Sequence, residues 1–159
     1  MWRTLRSIVQ AISAFVRNNE ESVTNNHEGS DHAITLLALL AEDQDRSVVS
    51  GVCSGNHWDV SFATTVEEAG RTLGEVKPQV VLFDRDLAGS GWREAVSTFA
   101  ALWPRACIML ISRVKDDYLW NEVVRNGGYD ILPKPLRADE VCRVVKLAWC
   151  YWSSTTSKR

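Results

Sequence analysis

Four cysteines in 159 residues, Cys53, Cys107, Cys142 and Cys150, form no CxxC pair and have no histidine at metal-ligand spacing. They read as reduced core or surface thiols, which suits a cytoplasmic protein. No apolar run approaches the roughly 18 residues that a bilayer span requires. Arginines interrupt the segment from Met1 to Val16, so no cleaved secretion signal is expected there. Charge of one sign is missing too: 18 Lys and Arg against 20 Asp and Glu leave a net charge of -2, with no basic field to hold nucleic acid. Proline is scarce, and two of the four prolines flank one lysine, Lys134. What is present is apolar residues, 45% of the chain, enough for the core of one domain.

Residues 2–17 place Trp2, Leu5, Ile8, Val9, Ile12, Phe15 and Val16 on one helical face, with Arg3, Arg6 and Arg17 mostly off it. Packing on its own domain or on a second copy is favoured for this amphipathic helix over contact with a membrane. Residues 18–32 read as a flexible linker in which His27 and His32 are solvated. The expected organisation is an N-terminal helix and linker over 1–33, a main domain over 34–152 and a disordered tail over 153–159.

From residue 34 the chain alternates between strand and helix patterns. Strands are expected at residues 35–41, 57–63, 79–84, 106–112 and 129–135. The third begins after Pro78 as Gln79-Val80-Val81-Leu82-Phe83 and ends on Asp84; such a run suits a buried strand of a parallel sheet. Helix signals follow each: the acids Glu42, Asp43 and Asp45, the Thr64-Thr65 cap, the stripe Trp92, Val96, Phe99, the segment from Asp116 to Asn126 stopped by Gly127-Gly128, and the stripe Val141, Val144, Val145, Ala148, Trp152. Five strands alternating with five helices predict an α/β doubly wound parallel sheet.

With strand order 2-1-3-4-5, the carboxyl ends of the first, third, fourth and fifth strands surround one crevice. The residues there are Glu42 and Asp43, Asp84, Ser112, and Lys134. Gathered carboxylates repel one another unless a cation sits between them, and an all-oxygen set suits Mg2+. One carboxylate can then act as nucleophile toward phosphorus. Asp84, which ends the central strand before a glycine-containing loop, is the candidate; Lys134 and Ser112 are candidate phosphoryl ligands. Prolines on both sides of Lys134 restrict where its ammonium points.

Four marks in order resemble the receiver domains of bacterial two-component response regulators, stand-alone and CheY-like. They are Leu40-Ala41-Glu42-Asp43, Val81-Leu82-Phe83-Asp84 with Leu87-Ala88-Gly89-Ser90-Gly91-Trp92, Ile108-Met109-Leu110-Ile111-Ser112, and Gly127-Gly128-Tyr129-Asp130-Ile131-Leu132-Pro133-Lys134-Pro135. The resemblance covers about residues 34 to 150 and implies a flavodoxin-like (βα)5 fold. It implies phosphotransfer to Asp84 from a phosphohistidine on a sensor histidine kinase or phosphotransfer protein. It also implies Mg2+ held by Asp43, Asp84 and the backbone carbonyl of Asp86, with Glu42 acting through water. The family's aromatic switch position, three residues before the lysine, is Ile131. The residue after the hydroxyl, small in the family, is Arg113, which could modulate access to the phosphoryl group.

Since only seven residues follow Trp152, no output domain is expected and signalling would run through docking on a downstream protein, at the face near Tyr118, Trp120, Tyr129 and Trp149. A homodimer through the N-terminal helix is a further expectation, direct nucleic-acid binding is not, and no enzymatic turnover beyond self-catalysed phosphorylation and dephosphorylation is expected. Two other readings stand beside this one. A receiver-like interaction module need never be phosphorylated. Alternatively Asp84-Arg85-Asp86 resembles the DxD motif of haloacid-dehalogenase-like phosphatases, although in that family the acidic pair comes last.

Overall fold

Every residue of Val80–Asp84 is buried, so this strand needs cover on both faces and neighbours on both edges. The computed structural model, which describes residues 33–88 and 91–156, supplies them. Five parallel strands, β1 (Thr35–Leu39), β2 (Asp59–Ala63), β3 (Val80–Asp84), β4 (Cys107–Ser112) and β5 (Asp130–Pro133), lie in the order β2-β1-β3-β4-β5. Five helices connect or follow them: α1 (Asp43–Asn56), α2 (Val66–Val76), α3 (Trp92–Leu102), α4 (Asp117–Arg125) and α5 (Ala138–Thr156). A four-residue helical turn, Arg85–Ala88, follows β3. This is the doubly wound α/β architecture with the strand order expected from the sequence. The N-terminal helix, the linker with its two histidines, Gly89 and Ser90 lie outside the described residues, as do residues 157–159.

Alternate side chains of each strand face opposite sides of the sheet, so the apolar residues divide into two cores. Leu36, Ala38, Leu40, Val80, Leu82, Met109, Ile111 and Leu132 pack with Val49 and Val52 of α1 and Val141, Val145 and Ala148 of α5. Leu37, Leu39, Val81, Phe83, Ile108, Leu110 and Ile131 pack with α2, α3 and α4 through Leu73, Phe99 and Val123, among others. Phe83 and Phe99 meet edge to face at 5.7 Å, an arrangement contributing about 0.5–1.5 kcal/mol beyond burial.

Helix boundaries follow local chemistry. Thr65 Oγ1 accepts the Glu68 amide at 3.1 Å, and the Glu68 carboxylate accepts the Thr64 amide at 2.9 Å, a reciprocal cap. The Asp116 carboxylate accepts the Leu119 amide at 2.7 Å. Boundaries differ from the sequence reading at several elements; β5, for one, stops at Pro133, before Lys134 and Pro135. β1 stops at Leu39 rather than reaching Ala41. β2 starts at Asp59 because His57, with φ 58°, is the left-handed C-cap of α1, its amide bonded to the Cys53 carbonyl. α5 continues to Thr156, through part of the expected tail; the hydroxyls of Ser153 and Ser154 donate to the carbonyls of Cys150 and Tyr151.

Of the four aromatic residues expected on a docking face, Tyr118 is largely exposed, whereas Trp120, Tyr129 and Trp149 pack partly against the cores. Among the described residues no helix is long and apolar enough to cross a membrane.

Gly127 has φ 94°, and a Cβ there would lie 2.7 Å from the Ala100 Cβ. Gly127→Ala is therefore expected to cost about 1–3 kcal/mol, read as a lower urea midpoint at unchanged slope. Gly51→Ala, in α1 with open space around the added methyl, is expected to be stabilising by about 0.5–1 kcal/mol. Burial also pushes the Cys53 thiol up to about 11 and the Cys107 thiol up to about 12. Thiol reagent at neutral pH is thus expected to modify exposed Cys150 first and to reach Cys53 and Cys107 only on unfolding, as peptide mapping would show.

Candidate functional site

Parallel pairing brings the carboxyl ends of β1, β3, β4 and β5 to one edge of the sheet, which puts their terminal residues around Asp84. Asp84 is fully buried, and three donors hold its carboxylate. The amide of Asp86 donates to Oδ1 at 2.9 Å, the amide of Ala41 donates to Oδ2 at 3.2 Å, and Lys134 Nζ lies 2.7 Å from Oδ2.

Lys134 reaches this point from the end of β5, its own amide tied to the Ser112 carbonyl at 3.0 Å. Its side chain is 3% exposed. Besides Asp84, its ammonium faces Asp86 Oδ2 at 3.3 Å, Glu42 Oε1 at 3.5 Å and Asp45 Oδ2 at 3.6 Å. Burial works against the charged amine, but the hydrogen bonds and charges of Asp84 and Asp86 outweigh it, and the Lys134 pKa is raised. Asp45 is the converse case. Its burial dominates over the attraction of Lys134, and its pKa is raised.

Above this buried layer lies an exposed one. Arg113 pairs with Glu42 and, at 3.6 Å, with Asp86 Oδ2, so residues following β1, β3 and β4 are bridged across the crevice mouth. Ser112, at the end of β4, is buried, and its Oγ accepts the Val114 amide at 3.1 Å.

Glu42, Asp84, Asp86, Ser112, Arg113 and Lys134 therefore come together at one end of the sheet. Asp43 does not join them: it is the first residue of α1, its side chain is exposed, and its carbonyl accepts the Ser47 hydroxyl at 3.1 Å. Asp45 stands inside instead. Sequence reasoning assigned it only to the helix start, although it shares a helical stripe with Val49, Val52 and Cys53, all buried.

This changes the test for Mg2+. Leu39 pairs with Phe83, so Leu40 and Ala41 are the residues beside Asp84, and neither offers a side-chain oxygen. Among the described residues no group of three or more His, Cys, Asp or Glu side chains is arranged to hold a metal. Asp86 turns its carboxylate toward Lys134 and Arg113. The set Glu42, Asp43, Asp84 and Asp86 carbonyl does not fit a magnesium site as these residues are placed.

Comparison with known proteins gives the wider frame. No family model matches the chain. The chain is 28% identical over 113 residues to the transcriptional regulatory protein YvcP of Bacillus subtilis, covering 68% of this chain and 46% of YvcP, less than half of that relative. It is 25% identical over 114 residues to the chemotaxis protein CheY of Listeria monocytogenes, covering 72% of this chain and 87% of CheY. A response regulator from Thermotoga maritima superposes with a TM-score of 0.67 at 21% identity, over 74% of this chain and 98% of that one. The described residues share the fold of these response regulators.

Ile131, the position expected from the resemblance to carry an aromatic switch, is a buried aliphatic residue that pairs with Leu110 and joins the core that contains Leu119 and Val123.

Removing one partner of a buried ion pair leaves the other uncompensated. Lys134→Met is expected to cost about 3–5 kcal/mol, and Asp84→Asn in the same chain should recover part of it in a double-mutant cycle by urea unfolding. The sign with pH follows from the raised Lys134 value. The pair's contribution is whole below the unfolded lysine pKa of about 10.4 and is lost as pH rises through the higher folded value. Wild-type protein is expected to lose stability across that alkaline window, and Lys134→Met to lack that component.

Proposed function

We propose that the receiver accepts a phosphoryl group on Asp84 from a phosphohistidine of a sensor histidine kinase or phosphotransfer protein, and passes the signal on by docking to a downstream protein. The observation that carries this reading is the 2.7 Å contact between the buried Asp84 carboxylate and the Lys134 ammonium at the strand-end edge, with Ser112 on the next strand. A carboxylate in that position is a nucleophile whose product is matched by a cation already in place.

In the transfer, an Asp84 oxygen attacks phosphorus, the P–N bond to the donor imidazole breaks, and the imidazole leaves with the electron pair. Charge on the transferring oxygens is met by Lys134 from below and by Arg113 from the mouth, and the Ser112 hydroxyl, whose Oγ accepts the Val114 amide, donates its own hydrogen to a phosphoryl oxygen. No step here passes through a metal. Water then hydrolyses the acyl phosphate and restores the carboxylate, so the only chemistry is the receiver's own phosphorylation cycle.

A second reading, a receiver that docks without being phosphorylated, draws on one observation: both Asp84 oxygens already accept from protein donors while Arg113 bridges Glu42 and Asp86 over the entrance. Intact-mass measurement decides between them. Incubation of the full chain with acetyl phosphate or phosphoramidate, with and without MgCl2, is expected to add one phosphoryl group, mapped to Asp84 by borohydride reduction and absent from Asp84→Asn. Wild-type mass unchanged under every condition would favour the second reading.

A further inference from the structure

We propose that the counter-cation of this site is built into the chain: Lys134, backed by Arg113, stands among Glu42, Asp45, Asp84 and Asp86 where a divalent metal would otherwise sit. The receiver's acid cluster then needs no magnesium. This inference shares Asp84 with the proposed phosphoacceptance but is tested separately from it.

Three observations converge on it. First, the ammonium lies 2.7–3.6 Å from one oxygen of each of the four carboxylates, so it occupies the point toward which they converge. A magnesium ion at that point of convergence would have to approach Asp84 Oδ2 to about 2.1 Å, beside a cation already 2.7 Å from that oxygen. Second, the strand-end positions next to Asp84 are Leu40 and Ala41, and what Ala41 contributes is an amide donor, which competes with a metal for the carboxylate rather than joining in its coordination. Third, the carboxylates divide by exposure. Asp84 and Asp45 are buried against Lys134, whereas Glu42 and Asp86 reach solvent and share the exposed Arg113, 65% accessible. The charge that Lys134 leaves uncompensated is thus on the side where water and the guanidinium screen it.

An ammonium also differs from magnesium in permanence. It is tethered at the end of β5 and cannot be lost to dilution or a chelator. The geometry of the crevice is consequently set by folding rather than by the ambient metal concentration.

The test uses the full chain stripped with EDTA and titrated with Mn2+ under electron paramagnetic resonance, with Mg2+ calorimetry alongside. Wild type is expected to bind no more Mn2+ than Asp84→Asn does. Arg113→Ala, an exposed change that keeps the fold, and Lys134→Gln are each expected to strengthen Mn2+ binding by about tenfold or more, the effect of about 1.4 kcal/mol of relieved repulsion. Wild-type Mn2+ binding in the millimolar range or tighter that Asp84→Asn abolishes would overturn the proposal, and so would unchanged binding in the Arg113 variant. In the acyl-phosphate experiment, equal labelling in EDTA and in MgCl2 supports it, and labelling that requires MgCl2 opposes it. Absence of label in both tells against phosphoacceptance alone, and the Mn2+ titration still decides this inference.

Discussion

The contact between Asp84 and Lys134 ties together strands that do not pair with each other. β4 lies between β3 and β5, so the ion pair spans one intervening strand and fixes the two ends of the crevice relative to Ser112 on β4. Taking two charges out of water costs several kcal/mol for each ion. The site offsets that cost with backbone amides of Ala41 and Asp86 on the carboxylate and with three further carboxylates around the ammonium. A chain needing only a stable core would do as well with apolar residues there. An ionic cluster at the carboxyl edge therefore stands where a doubly wound sheet places its functional sites.

The scaffold makes that cluster rigid. Two apolar cores clamp the sheet from opposite faces; Asp84 ends a strand held between them, and Arg113 and Lys134 follow directly on two others. The turn that delivers β5 is tight: a Cβ on Gly128 would meet the Val123 Cγ1 at 2.5 Å and the Val123 carbonyl at 3.0 Å. Glycine there lets the chain pass close beneath α4, and the Tyr129 amide then bonds the Ile108 carbonyl at 2.7 Å, setting the register that carries Lys134 to Asp84.

Residues at the ends of apolar strand runs were legible in the sequence because a strand buried on both faces reads as a continuous apolar run that stops where the polar residue begins; Asp84, Ser112 and Lys134 fall there. The acids after β1 were not, because their direction depends on where α1 begins. With β1 ending at Leu39 and α1 starting at Asp43, the helical phase turns Asp43 to solvent and Asp45 inward. Acids two residues apart look alike in a sequence, while on a helix they stand about 200° apart, nearly on opposite faces. His57 was misread for a related reason: it fits an alternating strand pattern, yet a left-handed cap overrides it.

The same distinction between pattern and placement bears on how a signal would leave the site. An aromatic switch works by a ring that turns between a buried and an exposed position. Ile131 is almost fully buried, and a β-branched side chain in a packed core has few rotamers open to it. It does belong to the same core as Leu119 and Val123 of α4, while Ser112 and Arg113 lead into the loop before that helix. Movement of the Ser112–Val114 contact would then be communicated by displacement of α4 on β5, a rigid shift of packed surfaces instead of a single rotamer change. Exposed Val114 and Tyr118 lie at the start of that path, which puts the amino end of α4 where such a shift would reach the surface.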